Sequence, residues 1–469
     1  MFQYNIGCLT STKHIADTLN SNGTKVSYNT VDSDYLLHAY TPVRKLNWGE
    51  GDTVGYYILG TNRKIIKGKN MAYEYIERFK KLGFGLFCHF GLYSKFGRGE
   101  WALHVYELNA NEYNEQAKSF EIVEDWAKRL VATAKAAGCK YITLTTRHHD
   151  GFSLFDTCGL NDFDAPHSAC GRDLVREFVD ACNAEGIVPF FYHTLLDWHN
   201  PDYKENFPKY IDYLMASVEI LCKNYGKIGG LWFDGFWDKP DADWQFDRLY
   251  AMIRKYQPEA MIINNTGLSA LGEVSHEEID SVTFERGKPS FVDTSKKPIA
   301  GEMCEGITDH WGFAAGDICF KSIPTLVETL LDCRKYNCNL LLNVGPTEDG
   351  TLTVIETEIL KYIGSWIKIN EEIIYNAVPA DIQAENADIF VNGEYYYAAI
   401  RKVPMSANGN VARLEGKKIV KLYTDKRIEE AVWLDNGSEV GLIDGQTFKA
   451  QSFLYGTSGS VRVARFKLK

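Results

Sequence analysis

From Phe84 onward, short apolar runs alternate with longer segments whose apolar positions recur at helical spacing. The runs at 85–89, 141–145, 188–193, 230–234, 261–264 and 281–285, a weak one around Met303, and 340–344 read as strands. Helical patterns over 121–137, 173–185, 209–224, 241–256, 324–336 and 355–369 fall between them. Alternating strands and helices predict a parallel sheet. About eight repeats predict that it closes into a (β/α)8 TIM-like barrel over residues 73–375, in an α/β fold. Little helical pattern separates 264 from 281 or 285 from 302, so the repeats there are degenerate. No Gly-rich dinucleotide fingerprint follows the first strand, which disfavours a doubly wound sheet.

After residue 376 the period shortens to two. Runs at 387–391, 395–400, 418–423, 431–434 and 461–468, with Asn-Gly and Asp-Gly turns nearby, predict a C-terminal antiparallel β-sandwich over 376–469. Its expected role is a lid on the barrel. Residues 1–72 read as a small β-rich N-terminal extension, with a short helix over 11–19 and strands between 26 and 66, among them 56–59 and 64–66.

Composition narrows the partners. A formal charge of −11 without a basic run disfavours nucleic acid and anionic membranes, because phosphate binding needs a cationic patch. No basic, apolar leader opens the chain and no apolar stretch is long enough to span a bilayer, so the expectation is a cytoplasmic protein with no membrane partner. The 11 cysteines are odd in number and scattered, and Cys88, Cys139, Cys182 and Cys222 fall in apolar patterns, as reduced core thiols do. Homo-oligomer formation is compatible with this composition. The 27 Tyr, 25 Phe and 10 Trp suit a cleft that stacks on sugar rings.

Candidate chemistry collects at the C-terminal ends of the strands, where β/α barrels build their sites. The first strand ends on His89 and is followed by Gly99-Glu100-Trp101; the second ends on His148-His149, the third on Tyr192-His193, and the fourth carries Trp232 and Asp234. Later strands end near Asn264, Glu285, Glu302 and Asn343. A lone strand-end histidine is usually structural, and adjacent His148 and His149 face opposite ways if their strand persists. Convergence on one end of every strand favours function. Glycoside hydrolysis needs two carboxyls, one of them protonated. Asp234, followed by Gly235, is the first. For the second, Arg286 beside Glu285 favours its ionised form, whereas Glu302 has no adjacent cation and a neighbouring Asp234 would raise it. Glu302 is therefore the expected acid and Glu285 the expected binder, although spacing leaves both open.

The segments Gly85-Leu-Phe-Cys-His89-Phe-Gly-Leu-Tyr-Ser94, Gly99-Glu100-Trp101, Tyr141-Ile-Thr-Leu-Thr-Thr-Arg-His148-His149-Asp-Gly-Phe152, Tyr192-His193-Thr-Leu-Leu-Asp-Trp198, Leu231-Trp232-Phe-Asp234-Gly235 and Asn339-Leu-Leu-Leu-Asn-Val-Gly-Pro346 resemble family 29 glycoside hydrolases, the retaining exo-α-L-fucosidases. That resemblance implies a fucosylated oligosaccharide or glycoconjugate as substrate and no cofactor. It also implies Asp234 as nucleophile, with His89, Glu100, Trp101, His148, His149, Tyr192, His193 and Trp232 lining the fucose pocket. Glu302-Met-Cys before His310-Trp311-Gly is similar to the family's Trp-Glu-x-Cys segment, which carries the acid/base in many members, although Gly301 replaces the tryptophan. Two other classes compete. A metal-dependent barrel hydrolase would draw ligands from His148, His193 and Asp234, but no H-x-H or H-E-x-x-H motif occurs and no metal is expected. A non-catalytic carbohydrate-binding protein would keep the aromatic pocket and need no second carboxyl.

Overall fold

Strand-forming runs of Ile, Leu, Val, Phe and Tyr bury both faces when a parallel sheet closes on itself and helices wrap it. In the structure, a computed structural model, residues 73–406 and 418–469 are described in full, together with the backbone of four N-terminal strands. Those strands form two antiparallel hairpins, β1 (Val26–Val31) with β2 (Asp34–Ala39) and β3 (Tyr56–Ile58) with β4 (Ile65–Lys67). The helix expected over 11–19 lies outside the described residues. The chain divides into two compact units, Met1–Glu74 and Tyr75–Lys469.

The second unit holds a closed, all-parallel barrel of eight strands: β5 (Phe84–Cys88), β6 (Tyr141–Arg147), β7 (Val188–Thr194), β8 (Gly230–Asp234), β9 (Met261–Asn264), β10 (Ser281–Thr283), β11 (Ala300–Gly306) and β12 (Asn339–Val344). The ring closes where Leu340 pairs with Phe84 and Val344 with Cys88. Leu86, Ile142, Leu144, Leu231 and Phe233 belong to the apolar layer packed outside the barrel. Alternation along the strands turns Phe87, Tyr141, Tyr192 and Trp232 into the barrel interior, where the rings of Phe87, Tyr192 and Trp232 meet and the Tyr141 hydroxyl reaches Glu302. Helix α1 (Glu74–Lys80) closes the lower end, with Phe79 against Tyr141 and Phe190 at 5.6 Å each and the Tyr75 hydroxyl donating to Asp280.

The wrapping helices are α2 (Trp126–Ala136), α3 (Leu174–Glu185), α4 (Phe207–Asn224), α5 (Phe246–Tyr256), α6 (Ile323–Lys335) and α7 (Val354–Glu371). Their starts carry the side chains that satisfy free backbone N–H groups: Asp173 caps α3, Ser322 caps α6, and Thr353 with Glu356 forms a capping box on α7. No helix connects β9 to β10 or β10 to β11, as the degenerate repeats foretell. Cys88, Cys139, Cys182 and Cys222 are buried free thiols. Among the described residues, no helix is long and apolar enough to cross a membrane.

Among the described residues eight C-terminal strands follow, β13 (Val378–Pro379), β14 (Ala384–Glu385), β15 (Asp388–Asn392), β16 (Tyr395–Arg401), β17 (Ile419–Leu422), β18 (Ile428–Trp433), β19 (Thr447–Lys449) and β20 (Val461–Leu468). They form a five-stranded sheet (β13-β15-β16-β20-β18) and a three-stranded one (β14-β17-β19), both antiparallel, around a core that includes Ala398, Val420, Trp433, Phe448 and Phe466. The sandwich is not a lid. Its larger sheet turns Phe390, Tyr397, Ala399, Val461 and Val463 to the core of the barrel unit, and it is tied to α6 by Arg401–Asp332 and to α7 by the Trp366 indole on the Val461 carbonyl. It buttresses the helices, and among its described residues none lines the cavity described next.

Candidate active site

Asp234 is the last residue of β8, and the chain turns immediately behind it. Gly235 has φ 95°, and a Cβ there would stand 2.7 Å from the Leu196 nitrogen, so only glycine fits. The Asp234 carboxylate is held from several sides. Oδ2 accepts the Tyr192 hydroxyl at 3.0 Å, and Oδ1 accepts the Trp237 indole and the Asn265 amide, each at 3.1 Å. His149 Nε2 stands 3.6 Å from Oδ2, beyond hydrogen-bonding reach. The carboxylate retains 15% exposure, into a cavity of about 440 Å³ at the C-terminal mouth of the barrel.

Glu285 lies two residues past the end of β10 and lines the same cavity. Its Oε2 accepts the Asn265 Nδ2 at 2.8 Å, so one amide nitrogen bridges the two acids. Their bonded oxygens thus lie within about 6 Å, close to the 5–5.5 Å carboxylate spacing of retaining glycosidases. Asn265 is oriented by the Thr283 hydroxyl, which donates to its Oδ1 at 2.9 Å. Burial first, and then the Asp234 charge, push the Glu285 carboxyl up; Asn265 and Arg286 oppose them.

Glu302 is not at the mouth, which corrects its expected pairing with Asp234. It pairs in register with Thr283, so Glu285 stands two residues, or about 6.6 Å along the strand direction, nearer the mouth. Its Oε1 accepts the Trp232 indole at 3.0 Å and its Oε2 the Tyr141 hydroxyl, leaving it 1% exposed beneath the floor. Burial raises its carboxyl to about 7, and Asp234 plays no part in that shift. Gly301 points out of the barrel, where a Cβ would strike the Cys338 sulfur, so the missing tryptophan removes nothing from the cavity.

His89, Trp101, His148, His149, Tyr192 and Trp232 all line the cavity. Both histidines of the 148–149 pair reach it because β6 ends at Arg147, after an irregularity between Thr145 and Arg147 that breaks the alternation. His89 is a neutral imidazole, pushed down to about 3 by burial. The Asn343 amide donates to the Trp311 carbonyl, so its oxygen faces His89 Nδ1 at 2.6 Å. Nδ1 therefore carries the proton and Nε2 is a bare acceptor. His149 repeats the pattern: its Nδ1 meets Thr194 Oγ1 at 2.7 Å, whose own proton goes to the Leu196 carbonyl.

Two expected members fall outside. His193 is a strand residue following inward Tyr192, so it points outward and bonds Ser217 of α4 through Nε2 at 2.8 Å. The metal set of His148, His193 and Asp234 is therefore not assembled. Glu100 is buried behind the wall, where its carboxylate accepts the Gly312 N–H at 2.7 Å. Among the described residues, the one group of His, Cys, Asp and Glu ligand atoms within 4.8 Å is Asp309, Asp317 and Cys319, which do not line the cavity.

The sequence reading missed Trp237 and Asn265 and passed over Leu268; Phe87, Cys304 and Trp311, which also line the cavity, entered only as parts of motifs. It stopped β9 at Asn264, yet Asn264 faces outward and donates to Tyr250 of α5. Counting alternate residues from Met261 leads to Asn265. Trp237 had a weaker signal: it follows Gly235 in a short 3-10 turn that folds back over Asp234.

A barrel whose mouth holds two acids on one amide, walled by indoles and neutral imidazoles, is equipped to cleave glycosidic bonds. Comparison with known proteins narrows this class. Residues 66–372 match the α-L-fucosidase family model. The tissue α-L-fucosidase of Rattus norvegicus is 28% identical over 345 residues, covering 66% of this chain and 71% of that protein. The structure of α-L-fucosidase isoenzyme 1 from Paenibacillus thiaminolyticus superposes with a TM-score of 0.75 at 30% identity, covering 85% of this chain and 100% of that one. A Bacteroides thetaiotaomicron α-L-fucosidase, described as a trapped covalent intermediate with 2-fluoro-fucosyl fluoride, shares the fold at a TM-score of 0.71 and 21% identity, over 84% of this chain and 96% of that one. The chain belongs to the α-L-fucosidase family, glycoside hydrolase family 29.

Proposed function

We propose that this α-L-fucosidase releases terminal α-L-fucosyl residues from glycans or glycosides by double displacement, with Asp234 as nucleophile and Glu285 as acid/base. The Asn265 bridge is the observation that carries the reading, because it holds the bonded oxygens of the two acids within about 6 Å of each other inside one cavity, a limit that admits the 5–5.5 Å spacing of retaining enzymes. Asp234 attacks the anomeric carbon and the glycosidic C–O bond breaks as Glu285 delivers its proton to the leaving oxygen. Glu285 then takes a proton from water, which attacks the same carbon and frees both Asp234 and fucose with retained configuration. The raised Glu285 carboxyl suits the first half of this cycle, and the Tyr192, Trp237 and Asn265 donors aim Asp234. The bare Nε2 atoms of His89 and His149 are acceptors for sugar hydroxyls, and Trp101 and Trp232 offer faces for its C–H groups.

Asp234→Ala is expected to abolish hydrolysis of an aryl α-L-fucoside, and azide to restore turnover as the β-fucosyl azide. Glu285→Ala is expected to lose far more activity on poor leaving groups than on good ones, with azide yielding the α product. An active Asp234→Ala enzyme, or a Glu285→Ala loss indifferent to the leaving group, refutes the assignment.

A further inference from the structure

The unused acid of the barrel interior is Glu302. A carboxyl with 1% exposure and neither oxygen facing the cavity is costly to bury, and it is not spent on proton transfer to a sugar. Both of its oxygens are engaged from other strands: Trp232 of β8 donates to Oε1, and Tyr141 of β6 donates to Oε2. Trp232 in turn lies nearly parallel to Tyr192 of β7, with centroids 5.6 Å apart and planes at 21°. The Tyr192 hydroxyl holds Asp234 at 3.0 Å. Phe87 packs edge-on to Trp232 at 5.1 Å and leaves the indole little room to shift.

We propose that Glu302 is a positioning residue: it pins Trp232 as the cavity floor and, through the Trp232–Tyr192 stack, fixes the hydroxyl that aims Asp234. This rests on the roles proposed for Asp234 and Glu285. It also explains why a glutamate in the family's motif position has its carboxyl turned from the mouth. Removing the carboxyl leaves the indole N–H unpaired in the barrel, and the ring relaxes together with the tyrosine stacked on it. A misplacement of about 1 Å at a reacting group costs up to about 100-fold in rate.

Glutamine supplies the discriminating test. Its carbonyl still accepts the Trp232 N–H, and its amide donates to the Tyr141 oxygen, which accepts as readily as it donates. Glu302→Leu breaks both bonds. In the full chain, Glu302→Leu is expected to lose about 10–100-fold in kcat, by one common factor on good and poor aryl leaving groups and without azide rescue. Glu302→Gln is expected to keep at least a third of wild-type kcat. Trp232→Phe, which removes the N–H, should lose at least fivefold, and Glu302→Leu in that background should add less than threefold. Loss of activity in Glu302→Gln together with leaving-group dependence and azide rescue would make Glu302 the acid/base. Wild-type kcat in Glu302→Leu, or independent losses in the double variant, would also overturn the proposal. Should Glu302→Leu fail to fold, Trp232→Phe decides: unchanged kcat refutes the role. An active Asp234→Ala enzyme would sink the assignment of the site without bearing on the Glu302–Trp232 coupling.

Discussion

Replacing Asn265 by alanine separates position from charge at the paired acids. The substitution removes the amide that donates to Asp234 at 3.1 Å and to Glu285 at 2.8 Å, and it opens a gap between them. Two effects oppose each other on the nucleophile. A hydrogen bond to a carboxylate is worth about 1.5–3 kcal/mol, and losing it frees the anion to attack. That gain is small, because the Tyr192 and Trp237 donors remain. Position outweighs it: the spacer has gone, and a slip of about 1 Å costs up to about 100-fold. The expected result is a 10–100-fold fall in kcat/KM, or about 1.4–2.7 kcal/mol of transition-state stabilisation. Proton affinity gives a second, independent readout. The Asn265 bond favours the ionised form of Glu285, so its loss moves that carboxyl further up. The acid works only while protonated, so the alkaline limb of kcat/KM, measured on an aryl α-L-fucoside across pH, is expected to move to higher pH in Asn265→Ala. A limb that stays in place, or moves to lower pH, refutes Glu285 as the group it reports.

Two further outcomes probe the scaffold. His193→Leu is expected to leave KM within about twofold while lowering unfolding stability by about 1–3 kcal/mol, since Ser217 loses its shorter buried bond and keeps only the one from Arg147 at 3.3 Å; a tenfold rise in KM would return His193 to the cavity. Asp150 is raised to about 7 by burial, against about 3.9 in an unfolded chain, so its contribution to stability is full below pH 4 and lost as pH rises through 7. Asp150→Asn should remove that share of the decline, up to about 1.4 kcal/mol per pH unit, in denaturant titrations between pH 4 and 7, and an unaltered slope would contradict the shift.

The periodicity of the chain by itself determined much of this molecule. Fully buried strands between amphipathic helices announce a closed parallel barrel, and β8 and β9 keep the bounds read from apolar runs. A strand ending Trp-Phe-Asp-Gly also exposes its nucleophile candidate, since Gly235 must turn the backbone where the acid emerges. Direction and depth were decided only in three dimensions. His193 and Asn264 are polar and close a strand, yet alternation turns both toward the helices; Asn265, one residue on, faces the cavity. Both candidate glutamates turn toward the barrel axis, and only the β10–β11 register puts Glu302 under the floor and Glu285 at the mouth. Strand stagger around a closed barrel is fixed by hydrogen bonds between segments far apart in the chain. Residue order therefore marks which strands carry acids, and the closure of the ring decides which acids meet.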